Sequence, residues 1–147
     1  MLIGPLTIES IGKVFENLSE QSRKEFALCG KTVEQVKARF YELVGAEFTA
    51  VLCDSKGAPL ALVCLEHRAL DTWRANLVMS EGAWKKIGLA MTFFFARFTK
   101  DFVTRSGGVV EAYSPDSFGK IFDWYTGMGF HYDGLQDGLA RYVKRAG

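Results

Sequence analysis

Phe122-Asp123-Trp124-Tyr125-Thr126-Gly127-Met128-Gly129-Phe130 is where the chain changes secondary structure for the last time. An aromatic-rich helix is expected to run into this stretch and to stop at Gly127 and Gly129. Glycine takes the left-handed backbone of a helix C-terminus without steric cost. Two β-type runs follow, residues 130–133 and 139–143, joined by a glycine-rich loop, so the chain closes on a hairpin. Upstream, Ser114 is expected to cap the aromatic helix and Pro115 to start it, because proline at the first helical position loses no bond. Residues 109–113 read as a short strand before that cap.

Working outward, Trp84, Ile87, Met91, Phe95, Phe98 and Phe102 recur at helical spacing and predict one long amphipathic helix from Glu81. Lys85, Lys86, Arg97, Lys100 and Asp101 lie off that stripe, and Ser106-Gly107-Gly108 ends it. Before it come a strand over residues 72–79 and a hairpin, residues 48–53 and 58–66, around the turn cluster Asp54-Ser55-Lys56-Gly57. The first third is mostly helical. Ile8, Ile11, Val14, Phe15 and Leu18 share one face, Ser19 opens a second helix stopped by Gly30, and Thr32 with Gln35 forms a capping box. Val33, Val36, Phe40, Leu43 and Val44 form the stripe of that third helix. Residues 2–7, broken by Gly4-Pro5, suit an edge strand. The pattern predicts one α+β domain spanning residues 1–147.

At 147 residues and 48% hydrophobic the chain can bury a core, and its twelve phenylalanines exclude a disordered polymer. Eighteen basic against seventeen acidic residues give a net charge of +1, which argues against a nucleic-acid sleeve or a polybasic membrane anchor. No stretch approaches the roughly 20 apolar residues of a membrane span, and the N-terminus has no signal-peptide pattern. Cys29, Cys53 and Cys64 follow no metal-ligand spacing, and His67 and His131 are the only histidines, so no metal is expected. Reduced thiols suit a cytoplasmic location. Ser114-Pro115-Asp116-Ser117 lacks the glycines of a nucleophile elbow, and no phosphate-cradling loop with Lys-Ser/Thr occurs.

The order of helices, antiparallel meander, helix, strand, helix and hairpin resembles the GNAT N-acetyltransferases over nearly the whole chain. The stretch from Phe122 to Phe130 looks like that family's aromatic–Tyr–three residues–Gly–Phe ending. Lys85-Lys86-Ile87-Gly88-Leu89-Ala90 resembles its pantetheine and pyrophosphate segment. The resemblance implies a mixed, mainly antiparallel sheet flanked by about four helices. It also implies acetyl-CoA as a substrate, with direct attack of an unidentified amine on the thioester. Lys85 and Lys86 would neutralise phosphate at a helix start, and Gly88 and Ala90 would let the backbone approach. The alternative is a helix whose Gly88 is a packing contact. Tyr125 would protonate the departing thiolate, or else serve as a core aromatic beside Phe118 and Phe122. Phe118, with Asp116 and Ser117 beside it, stands where the family usually has an Asn. For the base, Glu66 or His67 comes first and Glu111 second; adjacent strand residues point to opposite faces, so one of Glu66 and His67 at most faces the cleft. Each is otherwise a solvated strand-end group. His131 reads as structural, and Asp54 and Asp71 as turn residues.

A narrower resemblance, to small GNAT-like proteins of tailed bacteriophages including an internal virion protein, rests on Glu25-Phe26-Ala27-Leu28-Cys29-Gly30 and on Thr72-Trp73 before the long helix. It implies the alternative of a non-catalytic virion protein. Phe93, Phe94 and Trp73 would then form a contact surface for virion proteins, or for a second copy of the chain.

Overall fold

The computed structural model describes residues 1–115 and 119–147. In chain order the elements are β1 (Leu2–Gly4), α1 (Ile8–Glu16), α2 (Glu20–Leu28), α3 (Val33–Glu42), β2 (Thr49–Cys53), β3 (Pro59–Ala69), β4 (Thr72–Met79), α4 (Ala83–Ser106), β5 (Val109–Pro115), α5 (Ile121–Gly127), β6 (His131–Gln136) and β7 (Leu139–Lys144). The seven strands follow the order β1-β2-β3-β4-β5-β7-β6. β4 and β5 pair in parallel, as strands joined by a crossover helix do, while β1–β2, β2–β3, β5–β7 and β6–β7 are antiparallel. The mixed, mainly antiparallel α+β sheet expected from the sequence is present, with five helices among the described residues rather than four. The contacts divide the chain into two compact units, Met1–Cys64 with Asn76–Met91, and Leu65–Ala75 with Thr92–Gly147.

In the first unit, side-chain caps set the helix boundaries. Thr7 Oγ1 accepts from the Ser10 amide at 3.1 Å while Ser10 Oγ accepts from the Thr7 amide at 3.0 Å. Thr32 and Gln35 form the reciprocal pair that the sequence predicts, at 3.1 and 2.9 Å. α2 ends in a Schellman motif. The Gly30 amide bonds the Ala27 carbonyl and the Lys31 amide bonds the Phe26 carbonyl, with Gly30 at φ +71°. Ile11, Val14, Phe15, Phe26 and Phe40 pack against Val51, Leu62, Cys64 and Val78 of the sheet. Three stripe residues fall outside the core, the first being Ile8, 66% exposed at the start of α1. Val44 lies beyond the end of α3, where helical periodicity no longer applies, and Trp84 is 38% exposed.

In the second unit, α4 buries Phe95, Phe102 and Val103. Phe95 stacks on Trp124 and Phe130 at centroid separations of 5.9 and 6.1 Å. Beneath them lies Lys144, 6% exposed, whose Nζ donates to the carbonyls of Ala96 (2.9 Å) and Met128 (2.8 Å) and to Thr99 Oγ1 (2.9 Å). Three protons meet three acceptors, so the ammonium is satisfied without a carboxylate. Burial, with a smaller contribution from Lys100, pushes its pKa down to about 8.

The expected helix start at Ser114-Pro115 is corrected. Both residues belong to β5, opposite Ala140 and Leu139, and α5 begins at Ile121 behind Lys120, which makes no side-chain cap. Proline at a strand end costs little in the ladder. Pairing with β7 therefore outweighs the local cap signal.

Replacing Lys144 with Met keeps the packed volume but strips the Met128 carbonyl of its donor. Urea denaturation is expected to show a loss of about 1–3 kcal/mol. Glu25, on α2, is raised by burial from 4.5 to about 7, with Gln21 donating to it at 3.2 Å. Between those two values the folded state holds a proton that the unfolded state has released. Stability is therefore expected to fall as pH rises from about 4.5 to about 7. In Glu25→Gln the same melting series should lose that slope.

Candidate functional site

The Tyr–three residues–Gly–Phe spacing is the geometry of a second Schellman motif. At the end of α5 the Gly129 amide bonds the Thr126 carbonyl and the Phe130 amide bonds the Tyr125 carbonyl, both at 3.1 Å, with Gly129 at φ +93°. The apolar contact that accompanies this motif is Tyr125 on Phe130, ring centroids 5.3 Å apart. Tyr125 also stacks on Tyr142 at 4.4 Å, and the neighbouring Trp124 Nε1 donates to Thr92 Oγ1 at 2.8 Å. The half-buried Tyr125 ring is therefore fixed by both its own turn and β7.

The carboxylates lie on the other face of the sheet. His67 packs on Trp73 and Trp73 on Phe102 of α4, each at 5.0 Å, so their strand neighbours Glu66 and Arg74 turn the opposite way. Arg74 pairs in register with Glu111, and Tyr113 with Arg141. Glu111 Oε1 accepts from Arg74 Nε and Nη2 at 3.3 and 3.2 Å; Oε2 accepts from Arg141 Nε at 3.0 Å and from the Tyr113 hydroxyl at 3.2 Å. The Glu111 side chain is 7% exposed. Arg74 also lies 4.7 Å from the centroid of the Tyr113 ring, and Arg141 reaches Asp133. Burial works against the charge on Arg141, but hydrogen bonds to Glu111 and Asp133 outweigh it and raise its pKa. Tyr142 is paired with Ala112, the neighbour of Glu111, so Tyr125 and the two candidate carboxylates are separated by the sheet.

The β4–β5 ladder covers three pairs and ends at Arg74 and Glu111, whereas β5 continues alongside β7 to Pro115. Parallel pairing thus stops next to Glu111.

The segment Lys85, Lys86, Ile87, Gly88, Leu89 and Ala90 lies wholly inside α4. Gly82, at φ +79°, precedes the helix, and the Lys86 amide already bonds the Gly82 carbonyl at 3.0 Å. Amides from Lys86 onward therefore bond within the helix, and those ahead of Lys86 form its first turn. A Cβ on Gly88 would lie 3.1 Å from Trp84 Cε3, so this glycine makes room for an indole. Lys85, Lys86, Leu89 and Ala90 are exposed and Ile87 is buried. Asp54 is the expected turn residue: its carboxylate accepts from the amides of Ala58 and Lys56, which hold its pKa low, and Lys86 adds to that effect. Asp71 sits in the β3–β4 turn, where its carbonyl accepts from Val109 at 2.8 Å.

Exposed His131 is on β6, and the segment from Glu25 to Gly30 is the end of α2. Of the three aromatics expected on a contact surface, Phe93 is 67% exposed. Phe94 is half-buried on Phe98, and Trp73, also half-buried, packs between His67 and Phe102. The expectation placed on Asp116, Ser117 and Phe118 lies outside the described residues. Among the described residues no three His, Cys, Asp or Glu side chains are grouped as a metal ion requires, and no helix is long and apolar enough to cross a membrane. Sequence reasoning missed Arg74, Arg141 and Lys144, since their partners lie 8 to 48 residues away and no local pattern marks them.

No protein-family model matches the sequence, and no curated protein is similar to it. Solved structures are similar in shape. The GNAT domain of an S. lividans protein matches with a TM-score of 0.74 at 11% identity, over 96% of this chain and 88% of that one. A GNAT-family acetyltransferase of Bacillus anthracis gives 0.70 at 13%, over 97% and 91%. A spermidine N-acetyltransferase of Vibrio cholerae (an F149A mutant) gives 0.68 at 9%, over 99% and 95%. Each covers nearly the whole chain at an identity that speaks for architecture alone, and the architecture of this chain is the GNAT acetyltransferase fold.

Proposed function

We propose that this protein is an acetyl-CoA-dependent N-acetyltransferase in which an amine attacks the thioester directly. The observation that carries the reading is a parallel ladder that stops after three pairs, with a fixed Tyr125 on one face of the sheet and Glu66 on the other. Acyl transfer needs a base on the side from which the amine arrives and a proton donor for the departing sulfur. An interruption in a sheet lets both reach one carbonyl. Acetyl-CoA supplies the activated acyl group and an anionic pyrophosphate. The chain offers that anion the first turn of α4 and the exposed ammonium groups of Lys85 and Lys86, a combination that fits.

Of the two carboxylates, we take Glu66 as the first candidate for the base and Glu111 as the second. A proton arriving at Glu111 would displace one of the four donors already bound to it. In this reading Glu111 is a positioning residue that fixes Arg74 and Tyr113 at the end of the ladder, and Tyr125 donates to the sulfur. The virion-protein alternative would draw on exposed Phe93, and it takes the lead if acetyl-CoA does not bind.

Acetyl-CoA at about 100 times its dissociation constant should stabilise the fold by about 2.7 kcal/mol in a thermal-shift assay. Exchanging Lys85 and Lys86 together for alanine should weaken binding by roughly tenfold at low salt, and less at high salt. No stabilisation by the ligand would remove the enzyme reading.

Tyr125→Phe and Glu66→Gln should each lower turnover by about 10²–10⁴-fold with little change in melting temperature. Glu111→Gln should instead lose about 1–3 kcal/mol of stability, because Arg74 loses its pairing with Glu111 and Arg141 keeps only Asp133. The reverse pattern, with activity lost only at Glu111, would exchange the two assignments.

A further inference from the structure

At the centre of α1 stands a glycine that nothing inside the chain explains. Gly12 lies mid-helix between Ile8 and Glu16, and its φ is not among the positive ones. A Cβ built on it would meet nothing within 4 Å. Glycine in a helix interior costs stability relative to alanine, so it commonly marks a close approach by another group. Gly88 in α4 has such a neighbour in Trp84, whereas Gly12 has none among the described residues.

Gly12 lines an open groove of about 280 Å³ in the first unit, together with Ile8, Glu9, Lys13 and Glu16 of α1 and Lys37 of α3. Ile11, Val14 and Phe15 of the same helix are buried, but Ile8 is exposed at the groove. The side chains of Glu9, Lys13 and Glu16 make no hydrogen bond or ion pair among the described residues, although Glu9 and Lys13 lie one turn apart. Two carboxylates and two ammonium groups leave the groove neutral, which suits neither a polyanion nor a polycation. A surface with the same alternation of charge complements it. The spacing is self-complementary as well, since Ile8 precedes Gly12 by one turn just as Glu9 precedes Lys13. When a second α1 crosses antiparallel on a two-fold axis, Ile8 of each copy meets Gly12 of the other. Glu9 of each then meets Lys13 of the other. A residue without a side chain at the crossing lets the axes come as near as packed helices do, about 8 Å.

We propose that the outward face of α1 docks a second copy of this chain, with Ile8 seated on Gly12 and Glu9 paired with Lys13 across a two-fold axis. The contact is independent of the reaction proposed above. Two helices of nine residues cover less than the roughly 800 Å² per partner of a standard interface, so the dissociation constant is expected at about 10–100 μM. Exposed ion pairs are screened by salt, and the association weakens accordingly.

The test is sedimentation velocity of the whole chain at low salt, from below to above that concentration range, with melting temperature as a check on the fold. The wild type should pass from monomer to dimer. Gly12→Leu fills the crossing point with a good helix former, and it should stay monomeric without loss of melting temperature. Glu9→Lys and Lys13→Glu each set like charges across the axis, and each alone should self-associate at least about tenfold more weakly. An equimolar mixture of those two variants restores opposite charges at both contacts and should recover the dimer, which a variant damaged in its fold would not do. A wild type that is monomeric throughout overturns the proposal. So does a mixture that fails to recover, or a Gly12→Leu variant that still dimerises. A dimer abolished by Phe93→Ser overturns it too, since the second copy then docks on α4.

Discussion

The ammonium of Lys144 is the node on which the second unit depends. It sits under Phe130 and joins β7 to two turns of α4 and to the Met128 carbonyl at the end of α5. Desolvating a cation is costly, and the three acceptors here offset that cost with hydrogen bonds instead of a counter-charge. The arrangement is directional. An apolar residue would fill the space, but it would not fix where α5 ends, and the end of α5 sets the position of Tyr125. The Schellman turn at Gly129 adds the second constraint, since a Cβ there would lie 3.4 Å from Lys144 Cε on a backbone at φ +93°.

The two faces of the sheet carry different chemistry because strand alternation distributes neighbours between them. On one face His67, Trp73 and Phe102 form an aromatic run against α4. On the other, Arg74, Glu111, Arg141 and Asp133 alternate in charge, and Tyr113 is tied in by its hydroxyl. Such a network is well satisfied and therefore rigid. Its rigidity matters at one place above all, the pair Arg74 and Glu111, where β4 and β5 stop pairing. The proposed chemistry needs that end to stay where it is, because misplaced groups lose catalytic effect steeply with distance.

Much of the fold was legible because its signals are local. Thr32 and Gln35 announce their capping box within four residues, Gly30 and Gly129 announce helix ends, and the apolar run over residues 72–79 coincides with β4. The misreadings have the same origin. Ser114-Pro115 carries a valid cap signal that a ladder partner 24 residues later overrides at Pro115. Trp84 fits the helical stripe of α4 but lies over Gly88 on the exposed side. Tyr125 was legible as a candidate through its spacing to Gly129 and Phe130, and that spacing proves to be a requirement of the turn itself.

What the sequence by itself determined was the order and kind of the elements, since periodicity, caps and glycine placement act over a few residues. Tertiary structure alone decided which faces those elements share. It gave Glu111 to two arginines, and Lys144 to a carbonyl and a hydroxyl of α4 and to the carbonyl that ends α5, and among the described residues it left the Ser114 hydroxyl without a partner. Pairing across 16 to 48 residues follows strand register and helix docking, and these depend on the whole core rather than on any window of the chain.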